Sequence, residues 1–166
     1  MDITTRAATP VDAPTVHALT QAAFATLHGE IDPPSSAHLE TVDAVAAALA
    51  VGGGGIAEVD GEAVGVVRFK CEDNHLYVGR VAVNPERRGL GVARALLAFA
   101  ERHAASIGLV ETRLEVRRSL TGNVAMFERL GYTVVAEYPH PKQPASTVLM
   151  LAKLISSRPS AESADD

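Results

Sequence analysis

A glycine-rich stretch between an apolar run and a long amphipathic segment constrains this chain more than any other feature. The stretch is Arg88-Gly89-Leu90-Gly91-Val92-Ala93; residues 76–83 form the apolar run before it, and residues 94–107 form the segment after it. A helix that begins there has amide N–H groups without partners inside the helix, at the positive end of its dipole. Glycines let a bound group approach the backbone closely. The stretch is therefore either a cradle for a pyrophosphate or a turn that only connects a strand to a helix.

The segments before this stretch predict an antiparallel arrangement of three strands. Asp60-Gly61 is a strong two-residue turn signal between residues 56–59 and 63–69, and residues 76–83 follow after a short connection. Strands joined by such short connections pair antiparallel. A dinucleotide-binding unit belongs to a parallel sheet, and Arg94 stands where its third glycine would be, so both features argue against that class of site.

Hydrophobic periodicity and turn residues predict the other elements. We expect helices over residues 13–27, 37–50, 91–107 and 123–130, and strands over residues 3–7, 56–59, 63–69, 76–83, 110–117, 132–138 and 147–154. Four glycines, residues 52–55, are predicted to be a loose connector. We expect residues 1–155 to form a single domain, and residues 156–166, which are small, polar and acidic, to be a disordered tail.

Composition argues against several function classes. The chain has 166 residues and a formal net charge of −5, and no basic face is visible, which argues against a nucleic-acid partner. No apolar run reaches the roughly 18 residues that a membrane span needs. The first residues lack the apolar core of a signal peptide, so we expect a cytoplasmic protein. The single cysteine and the spacing of the six histidines predict no metal site.

Three further runs carry a resemblance to a known family. They are Val81-Ala82-Val83-Asn84-Pro85-Glu86, Arg94-Ala95-Leu96-Leu97 and Phe127-Glu128-Arg129-Leu130-Gly131-Tyr132. The glycine-rich stretch itself fits the pattern of Arg or Gln, two residues, Gly, one residue, then Gly or Ala. Together these motifs resemble the GNAT superfamily of acyl-CoA-dependent N-acyltransferases. The resemblance implies an α/β (α+β) fold with a central mixed, mostly antiparallel sheet of six to seven strands and about four helices.

The resemblance also implies acetyl-CoA as co-substrate. In this family the pantetheine arm lies between two strands that part from each other, and here it would pair with main-chain groups of Val81, Ala82 and Val83. One such N–H would polarise the thioester carbonyl. Arg88 would add positive charge at the pyrophosphate, and Asn123 would either touch the cofactor arm or cap its own helix. The amides that would hold the pyrophosphate are those of Gly89, Leu90, Gly91, Val92 and Ala93.

Glu115 is the candidate general base. A free alkylamine has a pKa of about 10.4, so a group that takes its proton helps at neutral pH. The resemblance supports this role, since some family members carry a catalytic glutamate at the matching place on this strand. The alternative is a solvent-facing glutamate paired with Arg113 or Arg117. Phe127 stands where the family usually has the tyrosine that protonates the leaving thiolate, so the general acid is unassigned.

The acceptor is predicted only as a primary amine, either a small molecule or a peptide N-terminus. Tyr77, Arg80 and residues 28–38 are candidates for its pocket. No nucleophile for a covalent acyl intermediate stands out, so we expect direct transfer. The alternative function is a CoA-binding regulatory module without turnover, which Phe127 and the two possible roles of Glu115 motivate. An exposed edge of the C-terminal strand would allow a homodimer.

Overall fold

The computed structural model describes residues 2–26 and 36–155. In these ranges the strands are β1 (Ile3–Ala8), β2 (Gly54–Val59), β3 (Glu62–Glu72), β4 (His75–Val83), β5 (Glu111–Arg117), β6 (Thr133–Pro139) and β7 (Thr147–Leu154). The α-helices are α1 (Ala13–Ala25), α2 (Val42–Val51), α3 (Val92–Ser106) and α4 (Thr121–Arg129). Short 3-10 turns at Pro10–Asp12, Ser36–Leu39 and Pro85–Arg87 precede α1, α2 and α3. Residues 27–35 and the tail predicted over residues 156–166 lie outside the described residues.

All of these strands join one sheet in the order β1-β2-β3-β4-β5-β7-β6. β4 and β5 pair in parallel, and the other neighbouring strands pair antiparallel. The predicted mixed, mostly antiparallel sheet is therefore confirmed, as are its helices. The expectation about the sheet edge is wrong, because β7 inserts between β5 and β6. The exposed strand at this end is β6, and the C-terminal strand β7 is internal.

Helices cover both faces of the sheet. On one face, α3 packs Leu96, Leu97 and Ala100 against a cluster that includes Val67 of β3 and Leu114 of β5. On the other face, α1 and α2 cover a cluster whose buried members are Ala8, Ala13, Val16, Ala23, Val45, Leu49, Ile56, Val66 and Ala82. None of the helices in residues 2–26 and 36–155 is long and apolar enough to cross a membrane.

The run of four glycines is not the loose connector that we expected. Gly54 and Gly55 are the first two residues of β2, and both are buried. A Cβ on Gly55 would lie 2.5 Å from the ring of Phe99, and one on Gly54 would lie 2.5 Å from the carbonyl oxygen of Val67. Glycine is therefore required here because the helix α3 and the strand β3 approach the backbone too closely for any side chain.

The second helix begins later than the periodicity predicts. Thr41 is its N-cap, and the Thr41 hydroxyl accepts a hydrogen bond of 3.1 Å from the N–H of Ala44. Residues 36–39 form a separate 3-10 turn. The apolar side chains in both pieces follow one periodicity, which conceals the break between them. Thr41 is the local signal for this boundary, because a threonine hydroxyl can accept a hydrogen bond from the N–H three residues later and so begin a helix.

Candidate active site

A cleft opens in the sheet where β4 and β5 part. Their pairing covers only residues 76–78 of β4 and 112–114 of β5, although both strands continue beyond it. In β4, Val78 lies opposite Phe69 while Arg80 lies opposite Arg68, so Gly79 is an extra residue that forms a bulge and bends the strand. The cleft has a volume of about 1320 Å³ and extends from the start of α3 to the loop between β6 and β7.

The start of α3 forms one end of the cleft. Gly89 and Gly91 have φ angles of 81° and 89°, a left-handed conformation that favours glycine. A Cβ on Gly89 would meet no atom within 4 Å in the described structure. Glycine therefore suits this position because of its backbone conformation and not because a side chain would lack space. The first helical bond runs from the N–H of Ala95 to the carbonyl of Gly91, at 3.1 Å. The amides of Val92, Ala93 and Arg94 therefore have no acceptor inside the helix and are available to an anion.

The wall of the cleft formed by β4 presents main-chain groups. The N–H of Asn84 donates to the carbonyl of Val64 at 2.8 Å, which fixes the alternation of the ladder with β3. By that alternation Ala82, opposite Val66, directs its N–H and carbonyl at β3. Val81 and Val83 direct theirs away from β3, toward the cleft. The side chain of Ala82 is buried beneath α1 and α2, so Val81 and Val83 supply the strand edge that an extended ligand could pair with.

Glu115 lies in the cleft and binds two tyrosines from different strands. The hydroxyl of Tyr77 on β4 donates to its Oε1 at 2.8 Å, and the hydroxyl of Tyr138 on β6 donates to its Oε2. Glu115 therefore does not form the alternative pair with Arg113 or Arg117 of its own strand. Arg113 pairs instead with Glu111 at 3.0 Å, and Arg117 contacts His140.

The two tyrosines act as donors to Glu115 and not as bases. Burial is the main cause that raises the pKa of Tyr77 above its ordinary value of 10.0, and the hydrogen bond to Glu115 raises it further. The same two causes, in the same order, raise the pKa of Tyr138. Both hydroxyls therefore keep their protons at neutral pH. They hold both carboxylate oxygens of Glu115 in one orientation within the cleft.

A family model described as "Acetyltransferase (GNAT) family" matches residues 18–132, which include the start of α3, both cleft strands and Glu115. The chain belongs to this family. An acetyltransferase of Pectobacterium atrosepticum is 32% identical over 80 residues, which are 48% of this chain and 57% of that protein. The matched part thus spans less than two thirds of the length of that relative.

Solved structures support the GNAT fold over nearly the whole chain. The ribosomal-protein-S18-alanine N-acetyltransferase from Escherichia coli is 19% identical, with a TM-score of 0.73, and the match covers 99% of this chain and 100% of that one. The PaiA N-acetyltransferase from Thermoplasma acidophilum, solved in complex with coenzyme A, is 17% identical with a TM-score of 0.76. That match covers 93% of this chain and 99% of that one.

Within this GNAT fold, the side chain of Arg88 lies against α1. Its guanidinium donates to the carbonyl of Ala23 at 3.2 Å and to the hydroxyl of Thr26 at 3.3 Å. Cations interact favourably with the carbonyls at the carboxyl end of a helix. In this conformation Arg88 joins the end of α1 to the start of α3, and its charge lies beside the glycines without being directed at the free amides.

Asn123 does not cap its helix. α4 begins at Thr121, with Leu120 in the N-cap position, so Asn123 is the third helical residue and lines the cleft. The expectation of a cap is therefore wrong, because the helix begins two residues earlier than the periodicity indicates. Phe127, one turn further, is 8% exposed and packs edge-on against Tyr132, with ring centroids 6.2 Å apart. It also lines the cleft, where it supplies an apolar surface and no proton.

The loop between β6 and β7 brings a histidine to the cleft beside Arg117. The backbone N–H of Lys142 donates to Nδ1 of His140 at 3.0 Å, and Nε2 of His140 lies 3.2 Å from the guanidinium of Arg117. Desolvation is the main cause that lowers the pKa of His140, and the positive charges of Arg117 and Lys142 lower it further. His140 is therefore neutral at pH 7.

The sequence pattern gave no role to Tyr138 or to Glu40. Glu40 forms a 2.5 Å salt bridge with the buried Arg68 and lies 3.8 Å from Arg80, which lines the cleft. Its carbonyl also contacts Nε2 of His17 at 3.0 Å. The only signal for this network was the arginine within an apolar strand, since a buried guanidinium needs a partner. Tyr77 and Arg80 line the cleft, as do residues 38 and 39, whereas residues 28–35 of the suggested acceptor loop lie outside the described residues.

Proposed function

We propose that this protein is an N-acetyltransferase that moves the acetyl group of acetyl-CoA directly to a primary amine. One observation carries the proposal. A helix start with free amides, a free strand edge and a carboxylate held by two phenols all line one cleft. An acyl-CoA has a pyrophosphate, an extended arm with amide groups and a thioester, in that order. The helix start matches the pyrophosphate and the strand edge matches the extended arm, and the carboxylate suits the acceptor amine that attacks the thioester.

The proposed donor site is the end of the cleft at α3. The amides of the stretch from Gly89 to Ala93, Leu90 included, would hold the pyrophosphate by hydrogen bonds and by the helix dipole. Main-chain groups of Val81 and Val83 would pair with the extended arm as a neighbouring strand does. An N–H of this edge would then lie at the thioester carbonyl and stabilise the negative charge that develops on its oxygen.

The proposed base is Glu115. The acceptor amine attacks the thioester carbon only as a neutral amine, and its ordinary pKa of about 10.4 leaves it protonated at neutral pH. Glu115 takes that proton, directly or through a water molecule, and Tyr77 and Tyr138 keep its carboxylate aimed into the cleft.

The leaving thiolate does not require a strong acid. A thiol pKa about 1.5 units above neutral corresponds to a cost of roughly 2 kcal/mol for departure as thiolate. Water can reprotonate it. Replacement of the family's usual tyrosine by Phe127 therefore changes the rate without removing the reaction.

The donor site is tested by Gly91→Leu, with Gly108→Leu as the matched control. Gly91 and Gly108 have φ angles of 89° and 83° at opposite ends of α3, so both substitutions strain the backbone alike. Release of free thiol from acetyl-CoA with a panel of amines gives the Michaelis constants. We expect the constant for acetyl-CoA to rise at least tenfold in Gly91→Leu only. Equal constants in the two variants would remove the pyrophosphate assignment.

The second candidate function is a CoA-binding regulatory module without turnover. The apolar side chain of Phe127, where a proton donor is usual, favours it. Calorimetric binding of acetyl-CoA together with no thiol release on any amine would support this alternative over the enzyme.

A cytoplasmic location and a homodimer stay predictions. For the homodimer, the exposed Val134 and Val135 on the edge strand β6 are the contact that we propose.

A further inference from the structure

We propose that Glu40 is a positioning residue for the acceptor amine, because it joins residues 37–40 to the sheet and so fixes one wall of the cleft. This inference rests on the proposed N-acetyltransferase function and extends it to a residue that does not react. His38 and Leu39 line the cleft, and Glu40 follows them directly in the chain. The position of these two side chains therefore depends on how Glu40 is held.

The 37–40 segment lies on the same side of the sheet as the proposed base. The side chains of Leu114 and Val116 belong to the cluster under α3, so Glu115, between them, points to the opposite face. That opposite face is the one that α1 and α2 cover. Arg68 of β3 also points there, because both of its neighbours in the strand belong to the α3 cluster. The wall formed by the segment is thus on the side where the amine and its base would meet.

Helix α1 binds the main chain of the segment at two points. His17, Gln21 and Phe24 recur at i, i+4 and i+7, so they share one face of α1. The amide of Gln21 donates to the carbonyl of Ala37 at 2.6 Å, and Nε2 of His17 donates to the carbonyl of Glu40 at 3.0 Å. Phe24, further along the same face, lines the cleft. One face of α1 therefore supports both ends of the segment and contributes to the cleft itself.

The carboxylate of Glu40 binds the segment to the sheet. Its Oε1 lies 2.5 Å from the guanidinium of Arg68 and 3.8 Å from that of Arg80. Arg68 and Arg80 stand directly opposite each other in β3 and β4, where like charges destabilise a sheet and a carboxylate close to both stabilises it. The side chain of Arg68 is only 8% exposed, so this ion pair is shielded from solvent, unlike the surface pairs that contribute little. Glu40 is therefore held at a buried point of the sheet, one residue after Leu39.

Loss of the carboxylate should act on the amine and not on the donor. Without it the segment is bound by α1 alone, and the charge of Arg68 stays buried without this partner. We expect the segment to move more, so that His38 and Leu39 no longer form a fixed wall. The start of α3 and the two phenol contacts of Glu115 lie elsewhere and stay as they are.

Thiol release by Glu40→Gln gives the first test. The wild type is assayed with glycinamide, butylamine, phenethylamine, spermidine and an alanyl tripeptide, and the amine with the highest kcat/KM is used for the variants. KM for that amine should rise by about tenfold or more, since a hydrogen bond between charged groups has an effect of about this size. Both kcat and KM for acetyl-CoA should stay within about threefold. Glu40→Asp, which keeps the charge, should restore part of the loss.

Glu101→Gln is the matched control. The side chain of Glu101 is 18% exposed, against 19% for Glu40, and it pairs with Lys153 at 3.1 Å away from the cleft. This variant should lower the melting temperature without raising KM for the amine. An unchanged KM in Glu40→Gln, an equal rise in the control, or an equal rise in KM for acetyl-CoA would overturn the inference and leave the transferase function intact. Absence of turnover by the wild type on every amine would overturn the proposed function, and this inference with it.

Hydrogen exchange gives a second test that needs no substrate. The amides of residues 37–40 should exchange faster in Glu40→Gln than in the wild type, and those of α4 should not change. Equal exchange in the segment would contradict the role of Glu40.

A double variant, Glu40→Gln with Arg68→Gln, separates positioning from the cost of a buried charge. It removes both charges of the pair, so none stays buried alone, and it carries the test if Glu40→Gln does not fold. It should raise KM for the amine as much as Glu40→Gln does. A KM restored to the wild-type value would mean that the unpaired charge, and not the lost anchor, caused the effect.

Discussion

Removal of the Tyr77 hydroxyl tests how Glu115 is held for catalysis. Tyr77→Phe deletes one donor to the carboxylate and leaves the ring, which is partly buried, in place. Tyr138 still binds the other carboxylate oxygen, so Glu115 keeps one of its two phenol contacts. If the base must be oriented by both, the variant should lower turnover without preventing acetyl-CoA from binding.

The structure sets the size of the effect. A hydrogen bond to a charged group contributes about 1.5–3 kcal/mol, and the 2.8 Å contact of Tyr77 with Glu115 is such a bond. Each 1.36 kcal/mol corresponds to about a tenfold change in rate. We therefore expect kcat/KM to fall by about ten- to a hundredfold in Tyr77→Phe. The KM for acetyl-CoA should stay within about twofold, because Tyr77 lies on the acceptor face of β4.

A double-mutant cycle with Glu115→Gln separates orientation from other roles. In a protein that already carries Glu115→Gln the carboxylate is absent. Adding Tyr77→Phe should then lower kcat/KM by less than about twofold. Tyr132→Phe is the control, since Tyr132 is a buried tyrosine that bonds Thr112 and Glu101 outside the cleft. It should lower the melting temperature without changing the coupling between Tyr77 and Glu115.

The pH profile gives a second readout of the same cycle. Without the base, only amine that is already neutral reacts, and that fraction rises about tenfold per pH unit below the pKa of the amine. The residual activity of Glu115→Gln should therefore rise steeply between pH 7 and 9, and that of the wild type should rise less. Additive losses in the double variant, or parallel pH profiles, would refute the reasoning.

Three other changes test separate parts of the structure. Hydrogen bonds from Arg6 and from a backbone N–H lower the pKa of Asp12 below its usual 3.8, so its stabilisation is present above that value and is lost as the pH falls through the lowered pKa. Asp12→Asn should accordingly lower the melting temperature at pH 7, and the difference from the wild type should shrink as the pH falls through that lowered pKa. Gly55→Ala should destabilise the fold by about 1–3 kcal/mol in urea denaturation, because its Cβ would meet the ring of Phe99; an unchanged midpoint would contradict that packing. Arg88→Gln should weaken the salt dependence of KM for acetyl-CoA if the guanidinium leaves α1 for the pyrophosphate, and an unchanged salt dependence would mean that it only joins the two helices.

The sequence predicts those parts of the fold that depend on neighbouring residues. The hairpin is one example, since Asp60 and Gly61 have φ angles of 52° and 79° in the turn that the dipeptide indicates. The start of α3 is another, because left-handed glycines and a following amphipathic helix lie within a few positions of each other. Gly54 and Gly55 were predicted wrongly because their role depends on residues that are not their neighbours in the sequence. Their packing partners, Val67 and Phe99, are distant in sequence, and a run of glycines alone does not distinguish a flexible connector from a tightly packed strand.

The partners of Glu115 show why the site was predicted less well than the fold. Alternation along β5 places Glu115 on the same face as Arg113 and Arg117, and that much is local. Its partners Tyr77 and Tyr138 come from β4 and β6, and β6 is two strands away from β5 because β7 inserts between them, so no local pattern indicates that contact. Both arginines of that face have other contacts, Arg113 with Glu111 and Arg117 with His140, and the carboxylate is bound instead by phenols from other strands. Side-chain chemistry therefore identifies the candidate base, and strand order determines which groups hold it.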